Sequence, residues 1–557
     1  MTSLFFQNIQ QKLARTALAD LAIKTPFTIP SGVVTTVPSV IAAIAREVPE
    51  IGFLTTKTVS LQPRPGYREP IVHEYYPGCF VNAVGLANPG AESFLRSMAP
   101  LLPLYGNKPL VVSIMGESPQ DFLDCAAILD PIANAFELNL SCPHVKGAGQ
   151  SVGSDPAAVS AVIRLLKGRV KKLIIPKLSP NLGDIPGMAR LCRDAGADAL
   201  CLINTVGPGM AVDAEGNPIL TNTVGGLSGS GILPVGLKAV REAVQAVDLP
   251  IIAAGGIGSA DDVRAYAAAG ASLFAVGSAL AGMTTPGIAQ FFSALTASLD
   301  QEPTRISPSR CLANASRTTY VRTRVVENTQ VGAGIFKVRM EDGPVCDPGR
   351  FFFLRLPGVG EKPFSPAHDM EPVYLVRTVG PFTAALEKLK PGDTVYMRGP
   401  YGKGFPNPRP EETIVLIGGG TGSAPILMAG RRWPECVKRA FFGFSDEVTT
   451  AFRDEILGTV PSAEIAVDSP GKIGRVIDNL ISNVFSETDL YRRSRVFVCG
   501  PAAMMTAAVQ VLKPIVPVNN IFLAREDVMR CGIGLCGSCG TERGLRSCVD
   551  GPVQMMD

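Results

Sequence analysis

The sequence predicts four consecutive domains: a parallel α/β barrel, a small antiparallel β-barrel, an α/β nucleotide-binding domain and a short cysteine-rich domain. Three observations predict this order. Eight β-rich apolar runs alternate with helical patterns over the first ~280 residues. An apolar run enters a glycine loop at Gly418, and four cysteines lie between Cys531 and Cys548. Because single cores rarely exceed ~300 residues, a chain of 557 residues must contain several domains.

The eight apolar runs have the length and spacing of barrel strands. Eight strands within ~280 residues, with a helix between successive strands, is the size of a TIM barrel. In such barrels the active site forms at the carboxyl ends of the strands. The predicted strands are residues 27–30, 52–58, 110–115, 136–140, 173–178, 199–203, 251–254 and 273–276.

Polar or small residues stand at the ends of these strands. Any one of them is compatible with an ordinary loop, but parallel strands end on one face of a barrel, so together they predict one site. The residues are Ser31, Gly32, Lys57, Asn139, Cys142, Lys177, Asn204, Thr205, Gly255, Gly256, Gly277 and Ser278.

Small residues after the last two strands predict a phosphate site. Gly255-Gly256 and Gly277-Ser278 offer backbone N–H groups where barrels commonly bind phosphate, and the loop at Gly225 is placed to reach the same point. This position suits FMN. Lys57 and Lys177 would then lie near the flavin, where their charge favours its anionic reduced form.

Cys142 is the candidate base. A cysteine just past a barrel strand, beside a flavin and near Lys57, has surroundings that favour a thiolate and proton abstraction. A buried, inert cysteine is the alternative interpretation.

The pattern of the first domain ends near residue 299. From there to residue 316, periodicity gives way to Pro, Ser and charged residues, which predicts a linker. Short strands then follow at residues 320–326, 334–340, 351–356, 373–379 and 393–397, as in a small antiparallel barrel. The expected domains are residues 1–305, a linker at 306–316, then 317–408, 409–520 and 521–557.

The glycine loop predicts a dinucleotide site. An apolar strand from residue 413 runs into Gly418, Gly419, Gly420, Thr421 and Gly422, and a helical pattern follows. The glycine motif indicates a dinucleotide site because it lies between a predicted strand and a predicted helix. The acidic pair Asp446-Glu447, after the next strand, favours NAD over NADP, because a 2′-phosphate would require Arg there.

The cysteines of the last domain predict a [2Fe–2S] cluster. Cys531, Cys536, Cys539 and Cys548 are spaced x4, x2 and x8, close to the plant-type arrangement. A zinc knuckle usually needs a second close pair of ligands, and a disulfide-linked tail is the other alternative. Since such a cluster carries one electron at a time, the rest of the chain should hold an electron donor and an electron acceptor.

Composition excludes several other functions. Lys and Arg number 52 against 49 Asp and Glu, a net charge of +3, which does not favour nucleic acid or an anionic membrane as partner. The uncharged stretch 265–299 is interrupted by Gly, Ser, Thr and Pro, so we expect no membrane span. The 13 scattered cysteines and the absence of a signal-peptide pattern favour the cytoplasm.

Several stretches of the first domain resemble the class 1 dihydroorotate dehydrogenases, among them Thr56-Lys-Thr-Val-Ser-Leu-Gln-Pro-Arg64, Val81-Asn-Ala-Val-Gly-Leu-Ala-Asn-Pro-Gly90 and Glu137-Leu-Asn-Leu-Ser-Cys-Pro143. The resemblance, over about residues 20 to 300, implies that Cys142 is the base and that Lys57 contacts flavin and substrate. His144 stands where the family usually has Asn. The implied substrate contacts are Lys57, Asn82, Gly85, Leu86, Asn139, His144, Asn204 and Thr205. The implied FMN contacts are Ser31, Gly32, Lys57, Thr58, Asn139, Lys177, Gly225, Gly226, Gly255, Gly256, Gly277 and Ser278.

The second half of the chain resembles the ferredoxin-reductase superfamily. The segment Lys362-Pro-Phe-Ser365 matches its flavin motif with Lys in place of Arg, which keeps the charge but loses the bidentate fork. The resemblance implies FAD contacts at Lys362, Pro363, Phe364, Ser365, Gly380 and Thr383. It implies NAD contacts at Gly418, Gly419, Gly420, Thr421, Gly422, Cys499, Gly500 and Pro501.

The tail resembles the iron–sulfur flavoprotein subunit of the B-type dihydroorotate dehydrogenases, so the chain reads as two subunits fused, with the catalytic part first. The resemblance implies oxidation of dihydroorotate to orotate with electrons passing from FMN through the cluster and FAD to NAD⁺, in a homodimer formed through the barrel. The alternatives are an NADH-dependent reductase of another pyrimidine or enone, a non-catalytic electron-transfer protein and a quinone-linked enzyme.

Overall fold

The computed structural model describes residues 4–140, 153, 155–301, 317–468 and 475–556. The chain divides into two compact units. The first comprises Met1–Arg317 and Ile533–Arg546, and the second comprises Thr318–Gly532 and Ser547–Asp557. Among the described residues, no helix is long and apolar enough to cross a membrane. Cys142, His144 and the predicted linker at 306–316 lie outside the described residues.

The first unit contains thirteen described strands and nine described helices. The strands are β1 (Phe27–Thr28), β2 (Leu54–Thr55), β3 (Val59–Ser60), β4 (Val72–Tyr76), β5 (Cys79–Asn82), β6 (Leu110–Met115), β7 (Ala135–Asn139), β8 (Leu173–Leu178), β9 (Leu200–Leu202), β10 (Val206–Gly209), β11 (Gly225–Gly229), β12 (Ile251–Ala254) and β13 (Leu273–Ala275). The helices are α1 (Leu4–Leu13), α2 (Pro38–Glu47), α3 (Ala91–Met98), α4 (Pro119–Leu129), α5 (Pro156–Lys167), α6 (Ile185–Ala195), α7 (Leu233–Ala246), α8 (Ala260–Ala268) and α9 (Thr285–Ala297).

Eight parallel strands form a nearly closed barrel, and the predicted barrel is confirmed. Their order is β1-β13-β12-β9-β8-β7-β6-β2, with β3 also pairing with β6. A parallel bridge between Phe27 and Ile51, just before β2, brings the two edges together. The barrel strands are buried along almost their whole length because helices cover their outer faces, which explains their continuous apolar runs.

Short polar residues begin the helices around the barrel. Ser118 and Asp121 form a reciprocal capping box at α4, while Asp155 and Thr284 cap α5 and α9 through their side-chain oxygens. Proline occupies one of the first two positions of several of these helices, where its missing N–H costs nothing. These local signals mark where α4, α5 and α9 begin.

A four-stranded antiparallel sheet contains predicted site residues that the barrel strands do not supply. Its order is β10-β11-β5-β4, and its register pairs Gly226 with Asn82. This pairing fixes the end of β5 next to the glycine-rich strand β11. The substrate contact predicted at Asn82 therefore comes from this sheet rather than from the barrel.

The second unit begins with a closed antiparallel sheet. Its strands are β14 (Val321–Gly332), β15 (Ile335–Met340), β16 (Phe351–Leu356), β17 (Gly360–Phe364), β18 (Val373–Arg377) and β19 (Thr394–Tyr401), with helix α10 (Pro381–Glu387) after β18. The order is β17-β16-β19-β14-β15-β18, and a bridge between Pro366 and Tyr374 joins the two edges. The sequence predicted five of these strands and missed β17, whose Gly, Glu, Lys and Pro have low strand propensity.

A parallel sheet completes the second unit. Its elements are β20 (Thr413–Gly419), α11 (Ser423–Arg432), β21 (Val437–Phe444), α12 (Thr450–Thr459), β22 (Ala463–Val467), α13 (Arg475–Ser486), α14 (Thr488–Arg493), β23 (Ser494–Cys499), α15 (Ala502–Leu512), β24 (Ile521–Ala524), α16 (Ser547–Asp550) and β25 (Val553–Met555). The order is β22-β21-β20-β23-β24-β25, parallel except for β25. The chain reverses direction across the sheet between β20 and β23, where doubly wound sheets bind their ligands.

The tail of the chain, predicted as one domain over 521–557, contributes residues to both compact units. Strands β24 and β25 belong to the parallel sheet, because their main-chain groups pair with β23 and with each other. The segment Ile533–Arg546 belongs to the first unit. The cysteine spacing that predicts this domain is local, whereas the partners of the Ile533, Leu535 and Cys536 carbonyls lie in the barrel, hundreds of residues away in sequence.

Candidate active site

One cavity at the carboxyl ends of the barrel strands collects nearly all the site residues predicted in the first unit. Gly225 is the exception, because it packs against the Asn82 carbonyl outside the lining. Cys142 and His144 lie outside the described residues. The predicted residues that line the cavity are Ser31, Gly32, Lys57, Thr58, Asn82, Gly85, Leu86, Asn139, Lys177, Asn204, Thr205, Gly226, Gly255, Gly256, Gly277 and Ser278.

A chain of hydrogen bonds orients the amides of the cavity. Asn139 Nδ2 donates to Thr58 Oγ1 at 3.1 Å, and Asn204 Nδ2 donates to Asn139 Oδ1 at 3.2 Å. The Thr205 N–H donates to Asn204 Oδ1 at 2.8 Å. On the antiparallel sheet, Asn82 Nδ2 donates to the Gly226 carbonyl at 3.2 Å. Each amide therefore has a defined nitrogen and oxygen, which a planar polar ligand requires.

A second set of hydrogen bonds runs beneath the first, inside the barrel. Thr58 Oγ1 lies 2.9 Å from Ser113 Oγ, and Ser113 Oγ donates to Glu137 Oε1 at 2.9 Å. Glu137 lies 3.7 Å from Lys177 Nζ, which donates to Ser31 Oγ at 3.1 Å. The network links β6, β7 and β8 to the loop after β1. It holds Lys177 at the cavity wall from below.

The charge on Lys177 is stabilised by a buried partner. Burial alone would lower its pKa, but the attraction of Glu137 outweighs that effect and raises the pKa of Lys177 above its ordinary value. Cys201, opposite Lys177 in the strand register, is buried too, and burial together with Glu137 raises the pKa of its thiol. Lys177 is therefore a permanent cation at neutral pH, while Cys201 stays protonated and unreactive.

Lys57 reaches the cavity from the loop between β2 and β3. Its side chain is only 6% exposed, and its backbone N–H donates to the Thr35 carbonyl at 2.9 Å. Gly32 has φ +86°, which disfavours any side chain there, and a Cβ at this position would lie 3.5 Å from Lys57 Nζ, in ordinary contact. Two cations, Lys57 and Lys177, thus line one cavity.

Backbone groups at the far wall fit a phosphate. The N–H groups of Gly256 and Gly277 donate no hydrogen bond within the described part of the chain. Gly256 has φ +78°, and a Cβ there would lie 2.9 Å from the Gly229 carbonyl oxygen, so only glycine fits. Two lysines and unoccupied backbone donors match an anionic flavin nucleotide, and these residues fit FMN.

Sequence reasoning did not assign several residues to this site or to the network beneath it, among them the following four. Ser113 and Glu137 stand inside buried strands. A serine and a carboxylate among apolar strand residues indicate buried hydrogen bonds, and this sequence signal could have identified them. Leu535 and Cys536 line the same cavity. No local pattern connects them with the barrel.

The predicted FAD segment forms β17 and the start of α10 in the second unit. The Lys362 side chain is exposed, and the ring of Phe364 stacks on that of Phe382 with centroids 6.2 Å apart. Thr383 Oγ1 accepts from the N–H groups of Val379 and Gly380, so this hydroxyl caps the helix. Pro363, Ser365 and Gly380 are half-buried.

The predicted NAD residues meet at the switch point of the parallel sheet. β20 ends at Gly419, Gly420–Gly422 forms a 3-10 turn, and Cys499 ends the neighbouring β23. A Cβ on Gly422 would lie 2.6 Å from the Gly500 Cα, so the two loops touch. Burial raises the pKa of Cys499 to about 12, which keeps the thiol protonated. Thr421 and Pro501 lie in the same two loops.

The four predicted cluster ligands are buried and are divided between the units. Cys536 and Cys539 belong to the first unit, whereas Cys531 and Cys548 belong to the second. Within the residues that the structure describes, no group of three or more His, Cys, Asp or Glu side chains is arranged to hold a metal ion. A donor set of buried thiols with left-handed glycines beside them fits an iron–sulfur cluster chemically. The cluster stays a prediction.

Two family models match this chain. Residues 13–293 match dihydroorotate dehydrogenase, and residues 526–557 match the iron–sulfur cluster binding domain of dihydroorotate dehydrogenase B. The two matches fall on the barrel and on the cysteine-rich tail.

Three similar proteins are each named as the catalytic subunit of dihydroorotate dehydrogenase B (NAD(+)). The catalytic subunit of dihydroorotate dehydrogenase B (NAD(+)) from Pyrococcus horikoshii is 38% identical over 271 residues, which is 48% of this chain and 87% of that subunit. The subunit of the same name from Pelobacter propionicus is 43% identical over 244 residues, 43% of this chain and 79% of that subunit. The one from Desulforudis audaxviator is 40% identical over 288 residues, 51% of this chain and 91% of that subunit.

Proposed function

We propose that this chain, which belongs to the dihydroorotate dehydrogenase family, oxidises dihydroorotate to orotate. In this proposal the electrons pass from FMN through a [2Fe–2S] cluster and FAD to NAD⁺. The balanced reaction converts dihydroorotate and NAD⁺ to orotate, NADH and one proton. The observation that carries the proposal is the cavity in which Lys57, Lys177 and three oriented asparagines meet.

The asparagines suit the substrate. A dihydropyrimidine presents alternating carbonyl and N–H groups around its ring, and an amide can donate to one and accept from the other. Asn139 and Asn204 are bonded to each other, so their orientations are set together before a ligand arrives. Asn82 is held independently by the Gly226 carbonyl. Pre-set donors and acceptors reduce the ordering cost of binding.

The cations suit both anions of the reaction. Dihydroorotate carries a carboxylate, and FMN carries a phosphate and takes up hydride at its ring when bound. Lys57 and Lys177 would hold these negative groups, and the N–H groups of Gly256 and Gly277 would hold the phosphate. Lys177 remains charged throughout, because Glu137 supports its cationic form.

Proton removal is assigned to Cys142. Oxidation removes a proton from C5 and a hydride from C6, so the base must face the substrate on the side opposite the flavin. The assignment rests on the family motif Glu137-Leu-Asn-Leu-Ser-Cys-Pro143, and Asn139 within that motif lines the cavity.

The second unit supports an electron acceptor. A closed antiparallel sheet followed by a parallel sheet with a glycine loop at its switch point is the architecture expected for a flavin and a nicotinamide dinucleotide. The match of the tail to a cluster-binding domain supports a one-electron carrier. We further propose a homodimer through the barrel. We also propose a cytoplasmic location, which the scattered spacing of the 13 cysteines supports.

An anaerobic titration of the purified protein tests this function. Dihydroorotate should bleach the flavin absorbance, and addition of NAD⁺ should restore it with one NADH formed per dihydroorotate consumed. Dihydrouracil and dihydrothymine serve as controls for an enzyme of another pyrimidine. A flavin that dihydroorotate leaves oxidised would contradict the substrate, whereas bleaching without NADH formation would contradict only the path to NAD⁺.

A further inference from the structure

The segment Ile533–Arg546 packs in the first unit. It reaches the cavity at the carboxyl ends of the barrel strands, which is called the flavin cavity below. Leu535 and Cys536 line that cavity together with Pro30, Gly32 and Val33. Among the lining residues, Cys536 is the one that the sequence predicts as a cluster ligand. Its position against the flavin site therefore bears directly on how electrons leave the barrel.

Both peptide groups that flank the Cys536 α-carbon are held by the loop after β1. The Val34 N–H donates to the Leu535 carbonyl at 2.7 Å, and Thr36 Oγ1 donates to the Cys536 carbonyl at 2.7 Å. Fixing the peptide on each side of a residue removes most of its backbone freedom. The direction of the Cys536 Cα–Cβ bond relative to the cavity is thereby set.

Further contacts hold the two ends of the segment. The Gly282 N–H donates to the Ile533 carbonyl at 2.7 Å, and Ser39 Oγ donates to the Thr541 carbonyl at 2.6 Å. Arg546 is fully buried and donates to the Met283 carbonyl at 2.5 Å. Barrel residues from the loop after β1, from α2 and from the turn before α9 therefore contact one short segment.

Glycines allow the segment to approach this closely. A Cβ on Gly537 would lie 2.5 Å from the Val34 carbonyl oxygen, and one on Gly544 would lie 2.7 Å from Ala43 Cβ. The segment covers part of helix α2, whose residues 40–45 are all buried. The fit depends on the identities of residues on both sides.

Val34 adopts an unusual conformation at the contact. It is fully buried with φ +60°, in the left-handed region that β-branched residues avoid. Its N–H donates to Leu535, and its carbonyl accepts from the Thr36 N–H at 2.8 Å. A disfavoured backbone persists where surrounding contacts determine it, and such positions are concentrated at functional sites.

We propose that the barrel loop of residues 33–37 positions Cys536 for electron transfer out of the flavin cavity, with the Thr36 hydroxyl as the positioning group. The proposal rests on the proposed function, because it assumes a flavin in the cavity and a cluster that Cys536 binds. Each dihydroorotate supplies two electrons, and a carrier that accepts one at a time must receive them in two transfers through the same contact. Thr36 is not among the residues that line the cavity, and it acts through Cys536.

The test compares Thr36→Val with two matched variants in the full chain. Thr36→Val removes the hydroxyl and keeps the shape, while Thr36→Ser keeps the hydroxyl. Thr35→Val removes a neighbouring hydroxyl that bonds only within the loop, to the Val33 carbonyl at 3.2 Å. Amide hydrogen exchange of residues 533–546 reports the tether directly. Stopped-flow absorbance after anaerobic mixing with dihydroorotate separates flavin bleaching from cluster reduction.

In Thr36→Val we expect exchange in residues 533–546 to accelerate about threefold to tenfold, the usual effect of one lost hydrogen bond. Cluster reduction should slow by a similar factor while flavin bleaching keeps its rate. Thr36→Ser and Thr35→Val should resemble the parent in both measurements.

Unchanged exchange in Thr36→Val, or faster exchange with an unchanged rate of cluster reduction, would overturn the positioning role. An equal effect of Thr35→Val would do the same. Failure of the proposed function looks different, because the parent protein would then show no flavin bleaching by dihydroorotate while the exchange effect of Thr36→Val persisted.

Discussion

Each unit of the molecule contains a buried pair of a cation and a carboxylate, and the two pairs differ in how fully they are satisfied. In the second unit, Arg398 and Glu361 are both fully buried and meet through two hydrogen bonds, of 2.9 Å and 2.5 Å. In the first unit, Lys177 and Glu137 lie 3.7 Å apart, and Lys177 lines the cavity. The Arg398–Glu361 pair is closed within the fold, whereas the Lys177–Glu137 pair faces the cavity.

The surroundings sharpen this difference. Arg398 also donates to Tyr401 Oη and to the Cys531 carbonyl, and its guanidinium lies 4.0 Å from the centre of the Phe353 ring. Tyr320 Oη donates to Glu361 at 2.7 Å. A network of this kind has no surface left for a ligand. Geometry and contact with the cavity, rather than burial alone, therefore separate a structural ion pair from a functional one.

The largest expected effect comes from breaking the closed pair. Glu361→Gln leaves Arg398 as a buried charge without its carboxylate, which typically costs about 3–5 kcal/mol of unfolding free energy. Urea denaturation followed by circular dichroism measures this cost. The double variant Glu361→Leu/Arg398→Met should recover much of the loss, because it removes both charges. A double variant less stable than the single variant would show that the network stabilises the fold.

The open pair should behave differently. Lys177→Met should weaken FMN binding by about 10-fold to 100-fold, since a hydrogen bond to a charged group contributes about 1.5–3 kcal/mol. Adding Glu137→Gln should recover stability, because the buried carboxylate is neutralised, but it should not recover FMN affinity. Fluorescence titration of the flavin-depleted protein measures the affinity. Recovery of both properties would make the pair structural, like Arg398 and Glu361.

The pH dependence of FMN retention should follow Lys177. Its pKa is raised above the ordinary 10.5, so the stabilisation by its charge is complete below that value and is lost only as the pH rises through the higher folded pKa. We therefore expect the Lys177 contribution to FMN affinity to stay constant from about pH 7 to about pH 10. The ratio of parent to Lys177→Met affinities isolates this contribution. A ratio that falls within this range would place the Lys177 pKa lower than its contact with Glu137 implies.

The sequence allowed the barrel to be predicted because its signals are local. Apolar runs mark the strands, and polar residues such as Asn139 and Lys177 follow them, so the topology alone brings them together. Glu361 and Arg398 gave no such signal, because charged residues in strands of alternating pattern suggest the solvent face. Their pairing depends on β16 lying between β17 and β19.

The contact between Thr36 and Cys536 was beyond sequence reasoning for a similar reason. The two residues are 500 positions apart, and neither the cysteine spacing nor the barrel pattern specifies the other as a partner. The tail could be predicted as a cluster segment from its spacing, but the surface that holds it depends on tertiary packing. Local patterns predict elements and their ends, whereas long-range hydrogen bonds require the folded chain.

The smallest expected effect provides the baseline for the comparison. Lys238 and Glu242 lie on the surface of α7 at 2.7 Å, with side chains 73% and 32% exposed. Such pairs contribute about 0.2–0.5 kcal/mol, and a Lys placed N-terminal to the Glu is the weaker orientation. Glu242→Gln should therefore change the free energy of unfolding by no more than ~0.5 kcal/mol and leave FMN affinity unchanged.

A loss comparable to that of Glu361→Gln would mean that ion-pair distance alone sets the contribution, because this pair is nearly as short as the Arg398 pair. We expect burial to decide instead, since water screens the exposed pair and the closed pair has no water to replace its carboxylate.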